Sequence, residues 1–193
     1  MKIQQFDGSV VDFSVDEHPR RDTTVEKLAG LKVLHPEIEG FSITAGNSSG
    51  TNDAAAGVAL VERAYAEANK LAVMATVKAW GAAGVPARDC GLGAVKVIGK
   101  VLDRAGLTPS DVALWEINEA FASVPIAACR EYGIDEELVN FSGSGCSLGH
   151  PIAASGARMV TTLIYELQRR GGGIGVAAMC AGGGQGGAVV IEV

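Results

Sequence analysis

Near its C-terminus the sequence reads Cys180-Ala181-Gly182-Gly183-Gly184-Gln185-Gly186-Gly187, set between the short apolar runs Ile174 to Met179 and Ala188 to Val193. Apolar runs on either side of a glycine cluster read as neighbouring strands joined by a tight connection. The end of the chain must therefore close a sheet, with a thiol held on a backbone turn. Gly182 to Gly184 have no side chains to block a ligand, and such a turn can aim several N–H groups inward, as an oxyanion site requires. Two readings fit this stretch alone. One is a reactive thiol on a donor-rich turn; the other is a glycine-rich hairpin around a buried structural cysteine, since free Cys is commonly buried and inert.

Upstream of the turn, strand and helix signals alternate. Leu71 to Trp80 alternates and ends at Gly81, as a strand does. From Gly91 to Ala105 the apolar residues Ala94, Val97, Ile98, Val101, Leu102 and Ala105 follow helical spacing, with Gly106 as C-cap. Gly91-Leu92-Gly93 opens this helix, but the third glycine of a dinucleotide fingerprint would fall on Lys96, so that motif is rejected. Val112 to Ile117 reads as a strand and Asn118 as the N-cap of a helix from Glu119 to about Tyr132. Pro125 inside that helix should remove a donor and kink it. The loop Asn140 to His150 ends at Pro151, a favoured first helical residue. The helix that follows should bury Ile152, Gly156, Val160, Leu163, Ile164 and Leu167 and stop at Arg169-Arg170-Gly171. The order predicts a layered α/β domain, a mixed sheet flanked by helices.

The first 40 residues are polar and irregular, with a short helical stretch from Val25 to Leu31. Pro19 marks Asp16-Glu17-His18-Pro19-Arg20-Arg21 as a loop, whose adjacent arginines either meet phosphate or sit solvated. The small polar residues Ile43 to Asp53 lead into Ala54 to Val61, an uncharged run that predicts a fully buried strand, followed by a helix from Glu62 to Lys70.

At 193 residues, 48% hydrophobic and 20% charged, the chain has the balance of one globular domain or slightly more. A net charge of -6 argues against a nucleic-acid or anionic-membrane surface. Four cysteines without a C-x-x-C pair, beside three histidines, signal neither a zinc site nor a disulfide framework, and a reducing cytoplasm fits best. The start lacks the apolar core of a signal peptide, and no apolar run approaches membrane-spanning length.

Asn118 at a strand-to-helix junction, His150 just before a helix and Cys180 after a strand occupy equivalent topological places, where open α/β sheets build their sites. His150 at a helix N-terminus should stay neutral and able to accept a thiol proton. Each alone has an ordinary structural use: an N-cap, a turn residue, a buried thiol.

Four segments, in order, resemble the signature segments of the thiolases (acyl-CoA C-acyltransferases). They are Gly46-Asn47-Ser48-Ser49-Gly50-Thr51-Asn52-Asp53, Asn118-Glu119-Ala120-Phe121-Ala122, Gly149-His150-Pro151-Ile152-Ala153-Ala154-Ser155-Gly156-Ala157-Arg158 and Cys180-Ala181-Gly182-Gly183-Gly184-Gln185-Gly186. The resemblance implies the thiolase fold, with residues 1–69 forming part of a loop domain plus the last strand and helix of a first domain, and residues 70–193 a C-terminal domain. It implies cleavage of 3-ketoacyl-CoA by CoA, or the reverse Claisen condensation, with CoA thioesters as substrates and no covalently bound cofactor. Cys180 would be the acid/base at the α-carbon, and His150 would activate the nucleophile and donate to the thioester oxygen. Asn118 would hold a water completing that oxyanion hole, and the Gly182 N–H would belong to a second. Ser49, Ala45 and Ala120 would line the pantetheine channel, and Arg20 would lie toward the nucleotide end of CoA.

The sequence departs from the family pattern at Ala153, where a glycine is usual, and at Pro125. Thiolases run about twice this length, and their acyl-carrying cysteine lies in a first half that these residues lack. Cys90, at a helix start, and Cys129, within a helix, read as structural, and Cys146 as loop filler. The resemblance therefore implies a nucleophile on a companion chain or on a lost first half. The alternative is a non-catalytic CoA-binding or structural subunit.

Overall fold

The computed structural model describes residues 1–193 apart from Glu17; of the loop expected at 16–20, Glu17 thus lies outside the described residues. The N-terminal part opens with an antiparallel hairpin of β1 (Lys2–Gln4) and β2 (Val10–Asp12). Helix α1 (Val25–Ala29) follows, its first turn capped by the Thr24 hydroxyl, which accepts from Lys27 N. After a single 3₁₀ turn at Ala45–Asn47 comes α2 (Arg63–Ala68).

The buried strand expected at Ala54 to Val61 does not form. This segment has no regular structure and is exposed, with Val58 at 48% and Leu60 at 80%. The reason is physical: a strand needs a neighbour to satisfy its backbone, and among the described residues none pairs with it.

From residue 76 the chain builds one mixed sheet in the order β3-β6-β5-β4, from β3 (Thr76–Gly84), β4 (Leu114–Ile117), β5 (Ile174–Ala181) and β6 (Gln185–Glu192). The β3/β6 and β6/β5 pairs are antiparallel, whereas β5 and β4 run parallel. A parallel neighbour requires a crossover, which α4 (Ser123–Tyr132) and α5 (Ile152–Arg170) supply. Helix α3 (Leu92–Ala105) covers one face, burying Ala94, Val97, Ile98, Val101 and Leu102 of the expected stripe, with Ala105 half-buried, and ending at Gly106 with φ 69°. The pleat sends Trp115, Ile117, Val176 and Ala178 toward α3 and α4, and Leu114 and Ala177 toward Met159, Leu163 and Leu167 of α5. No helix among the described residues is long and apolar enough to cross a membrane.

Several local expectations are corrected. Asn118 is not an N-cap: helix α4 starts at Ser123 after Ala122, and Asn118 N donates to Ala178 O at 2.9 Å, extending the sheet. Pro125 is then the third residue of α4, where a backbone N–H has no intrahelical partner, so it removes no bond and gives no cause for a kink. On α5, Ile152 is 70% exposed, and Gly156 and Val160 are only half-buried, because the row facing the sheet runs Ser155, Met159, Leu163, Leu167. Strand β3 begins later than expected and continues through Gly81, which pairs with Ala188. The glycine-rich stretch also narrows to Gly182–Gly184, since Gly186 and Gly187 are strand residues. Gly186 lies against the Gly93 backbone of α3 so closely that a Cβ on either would collide with the other segment.

Candidate active site

The C-terminal end of β4 meets the start of α5, and two of the expected side chains come into contact there. Asn118 is fully buried, and its Nδ2 lies 3.3 Å from His150 Nε2 and 3.5 Å from Nδ1. Ser155, buried in the first turns of α5, places its Oγ 2.7 Å from His150 Nδ1. The His150 N–H donates to Asn52 Oδ1 at 3.0 Å, and Asn52 Nδ2 lies 3.4 Å from His18 Nδ1. Gly149 permits this approach: its φ is +107°, and a Cβ there would collide with the Asn52 side chain.

With Nδ1–H donating to Ser155 Oγ, the nearest of its partners at 2.7 Å, Nε2 is the unprotonated ring nitrogen. Burial, and next the positive charge of Arg158, hold the His150 pKa below its usual value, which keeps the ring neutral. The expected direction is met, but through desolvation and a neighbouring cation.

Behind this pair lies a polar cluster that sequence reasoning missed. Glu116 on β4 is fully buried; its Oε2 accepts from Arg158 Nη1 at 2.7 Å, while its Oε1 has no partner. Burial pushes its carboxyl up to about 7 against the pull of Arg158. Arg158 Nη2 also reaches Ser144 Oγ at 3.5 Å, and Asn140 Nδ2 donates to Glu119 Oε1 at 2.9 Å. Asn118 Oδ1 is the other buried polar atom left without a partner among the described residues. An acidic residue in the otherwise apolar run Leu114-Trp115-Glu116-Ile117, two positions before Asn118, was the available signal.

Cys180 lies inside β5, at the same end of the sheet, two residues beyond the Ala178 carbonyl that receives Asn118 N–H. It is buried, and burial, followed by the proximity of Cys90, pushes its thiol up, so it rests protonated. Among the described residues no hydrogen bond joins Cys180 to His150 or Asn118. The expected convergence is therefore direct for Asn118 and His150 and topological for Cys180. Gly182 is exposed on the turn, and no hydrogen bond engages its N–H among the described residues. Cys90 Sγ donates to Ala181 O at 3.1 Å. Burial, then Glu119, pushes the Cys146 thiol up to about 11, which disfavours it as a nucleophile.

The loop carrying Ala45 and Ser49 is stitched to the segment after Asn118. Ser49 N donates to Ala120 O at 3.0 Å and Ala122 N to Asn47 O at 2.9 Å, so Ser49 and Ala120 are adjacent, with Ala45 opening the 3₁₀ turn beside them. Arg20 is exposed and bonds through its backbone carbonyl to Thr23. It is not drawn to this cluster, although its loop neighbour His18 is.

The layered α/β domain thus brings Asn118 and His150 together where β4 ends and α5 begins, with Cys180 on the neighbouring strand β5. Residues 71–193 match the thiolase C-terminal domain and residues 1–64 the thiolase N-terminal domain. The chain belongs to the thiolase family. It is 44% identical to the 3-ketoacyl-CoA thiolase of Bacillus subtilis (strain 168), over 94% of this chain and 46% of the relative. It is 43% identical to the acetyl-CoA acetyltransferase of Escherichia coli (strain K12), over 93% and 45%. Among solved structures, the acetyl-CoA acetyltransferase of Bacillus anthracis superposes with a TM-score of 0.89 at 43% identity, covering 99% of this chain and 48% of that one. Human mitochondrial 3-ketoacyl-CoA thiolase in complex with CoA gives 0.83 at 33% identity, covering 93% and 45%. The chain spans about half the length of the curated relatives it matches.

Proposed function

We propose that these residues supply the acid/base and oxyanion-hole half of an acyl-CoA C-acyltransferase, which splits a 3-ketoacyl-CoA with CoA or runs the reverse condensation. The observation that carries this reading is the Asn118–His150–Ser155 cluster, at the sheet end where the Cys180 strand closes on its glycine turn. In the cleavage direction a cysteine thiolate outside these 193 residues adds to the keto carbon. The bond to the α-carbon breaks, its electron pair passes into the departing acetyl-CoA enolate, and the Cys180 thiol gives that carbon a proton. CoA then attacks the acyl-enzyme, its thiol proton passing to the Cys180 thiolate left by the first step, and the adduct expels the nucleophilic cysteine as thiolate. His150 takes the nucleophile's proton at Nε2 and afterwards donates to the thioester oxygen, with a water held by Asn118 completing that hole. The Gly182 N–H serves the second developing oxyanion.

In the same proposal Ser49, Ala45 and Ala120 line the channel for the pantetheine arm, and Arg20 meets the nucleotide end of CoA. The stitching of residues 47–49 to 120–122 supports the first assignment. Residues 1–69 and 70–193 divide between part of a loop domain with the end of a first domain, and a C-terminal domain. The nucleophile arrives on a chain or segment carrying the first half, in a cytoplasmic setting. The exposed apolar side chains Val58, Leu60, Trp80 and Ile152, the first two on a run without regular structure that pairs with no strand among the described residues, support such a covering body.

Native mass spectrometry and thiolysis assays test this. We expect a hetero-oligomer, or a longer polypeptide, whose turnover collapses in Cys180→Ala and in His150→Asn. Full turnover by a homo-oligomer of these residues alone would refute the shared site, and undiminished turnover in both variants would refute the catalytic reading.

A further inference from the structure

We propose that Cys90 is a positioning residue for the oxyanion donor on the Cys180 turn, its thiol holding the Ala181 carbonyl and thereby setting the direction of the Gly182 N–H. This rests on the thiolase reading above and adds to it a residue from a segment 91 positions away in sequence. The Ala181 C=O and the Gly182 N–H belong to one peptide unit, and among the described residues no peptide bond is cis. In a planar trans unit the two point in opposite directions, so fixing the oxygen fixes the hydrogen. Cys90 Sγ sits 3.1 Å from that oxygen.

The turn needs such a restraint. Gly182, Gly183 and Gly184 are consecutive, with φ of +83° and +88° at the latter two, and glycine backbone rotates at little steric cost. A Gly182 N–H left to wander would not be preorganised, and preorganisation is what makes a donor effective toward developing charge. The loop between β3 and α3 holds the turn at two points: Cys90 at Ala181 and Val85 N, which donates to Gly184 O at 2.7 Å. That loop is itself fastened where Gly93 and Gly186 touch backbone to backbone. Gly182 stays exposed with its N–H unused among the described residues, as a donor awaiting an oxyanion must. Donation into the carbonyl also polarises the amide, strengthening the N–H as a donor.

The test compares Cys90→Ala, Cys90→Ser and, as a control, Cys180→Ala in the complete thiolase assembly. Deleting an oxyanion donor costs about a hundredfold or more in turnover, and loosening its aim costs less, so Cys90→Ala should lower kcat about tenfold. KM for CoA should stay unchanged, and Cys90→Ser should restore most of the turnover because its hydroxyl donates to the same carbonyl. On the same samples, the backbone NMR order parameter of the Gly182 amide should fall in Cys90→Ala but not in Cys90→Ser. Wild-type kcat in Cys90→Ala, or equal damage in both Cys90 variants, overturns the proposal. Undiminished turnover in Cys180→Ala would instead overturn the thiolase reading beneath it.

Discussion

Ser155 Oγ stands 2.7 Å from His150 Nδ1, and it does so from a buried position on the helix that His150 introduces. One hydroxyl thus fixes which ring nitrogen carries the proton. Ser155→Ala leaves Nδ1 without its partner inside the protein, and a lost buried bond of this kind costs about 1–3 kcal/mol. We expect the ring to lose its single tautomer, seen as averaged imidazole nitrogen shifts by NMR. Turnover of the assembled enzyme should fall about tenfold, with recovery in Ser155→Thr. Unchanged nitrogen shifts in Ser155→Ala would exclude this role.

Tyr132 makes a less obvious link. Its hydroxyl donates to Val95 O at 2.8 Å and accepts from Gly99 N at 3.1 Å, inserting itself between the carbonyl and N–H that an α-helix would join directly. Tyr132→Phe should therefore lower stability by about 1–2 kcal/mol, read as a lower urea midpoint, with no change at the site. Gly99→Ala should also destabilise, although alanine is the better helix former, because its Cβ would lie 2.8 Å from the same hydroxyl.

Local signals in the sequence translate into structure where the neighbours they need are also in the chain. The stripe Ala94, Val97, Ile98, Val101, Leu102 is legible because a helix carries its own hydrogen bonds and requires only one apolar face to cover. Ala54 to Val61 has equally apolar composition, yet a strand's bonds are supplied from outside, and among the described residues none arrives here. The meeting of Asn118 and His150 is legible from their places after a strand and before a helix. Their supports are not, since Ser155 looks like any small helix residue and Glu116 like an intrusion in a buried strand. The reach of Cys90 to Ala181 is set by how α3 lies across the sheet, which no local pattern encodes.

Leu167 tests the packing of α5 on the sheet. It is fully buried, and its methyl groups fill the space over Gly173 and Gly175. The two glycines carry no side chain that could fill a void, and Leu163, over Gly175, is the neighbour on the same helix. Leu167→Ala should cost about 3 kcal/mol in urea unfolding, and a loss below about 1 kcal/mol would mean that the helix resettles onto the glycines.

Glu116 gives the chain a pH dependence of unusual sign. Burial raises its folded pKa from the ordinary 4.5 to about 7, so between these values the folded chain keeps a proton that the unfolded chain has released. Its contribution to stability is therefore fully present below pH 4.5 and is lost as pH rises through about 7. His150 opposes it: with a folded pKa below the usual 6.5, its contribution is present above that value and lost as pH falls toward the folded one. Glu116→Gln removes the first effect while keeping an acceptor for Arg158. Relative to the unmodified chain, the variant should gain about 2 kcal/mol at pH 8 compared with pH 5, measured by urea unfolding at both values. Parallel curves for the two proteins would show that Glu116 is ionised throughout, with Arg158 outweighing the cost of burial.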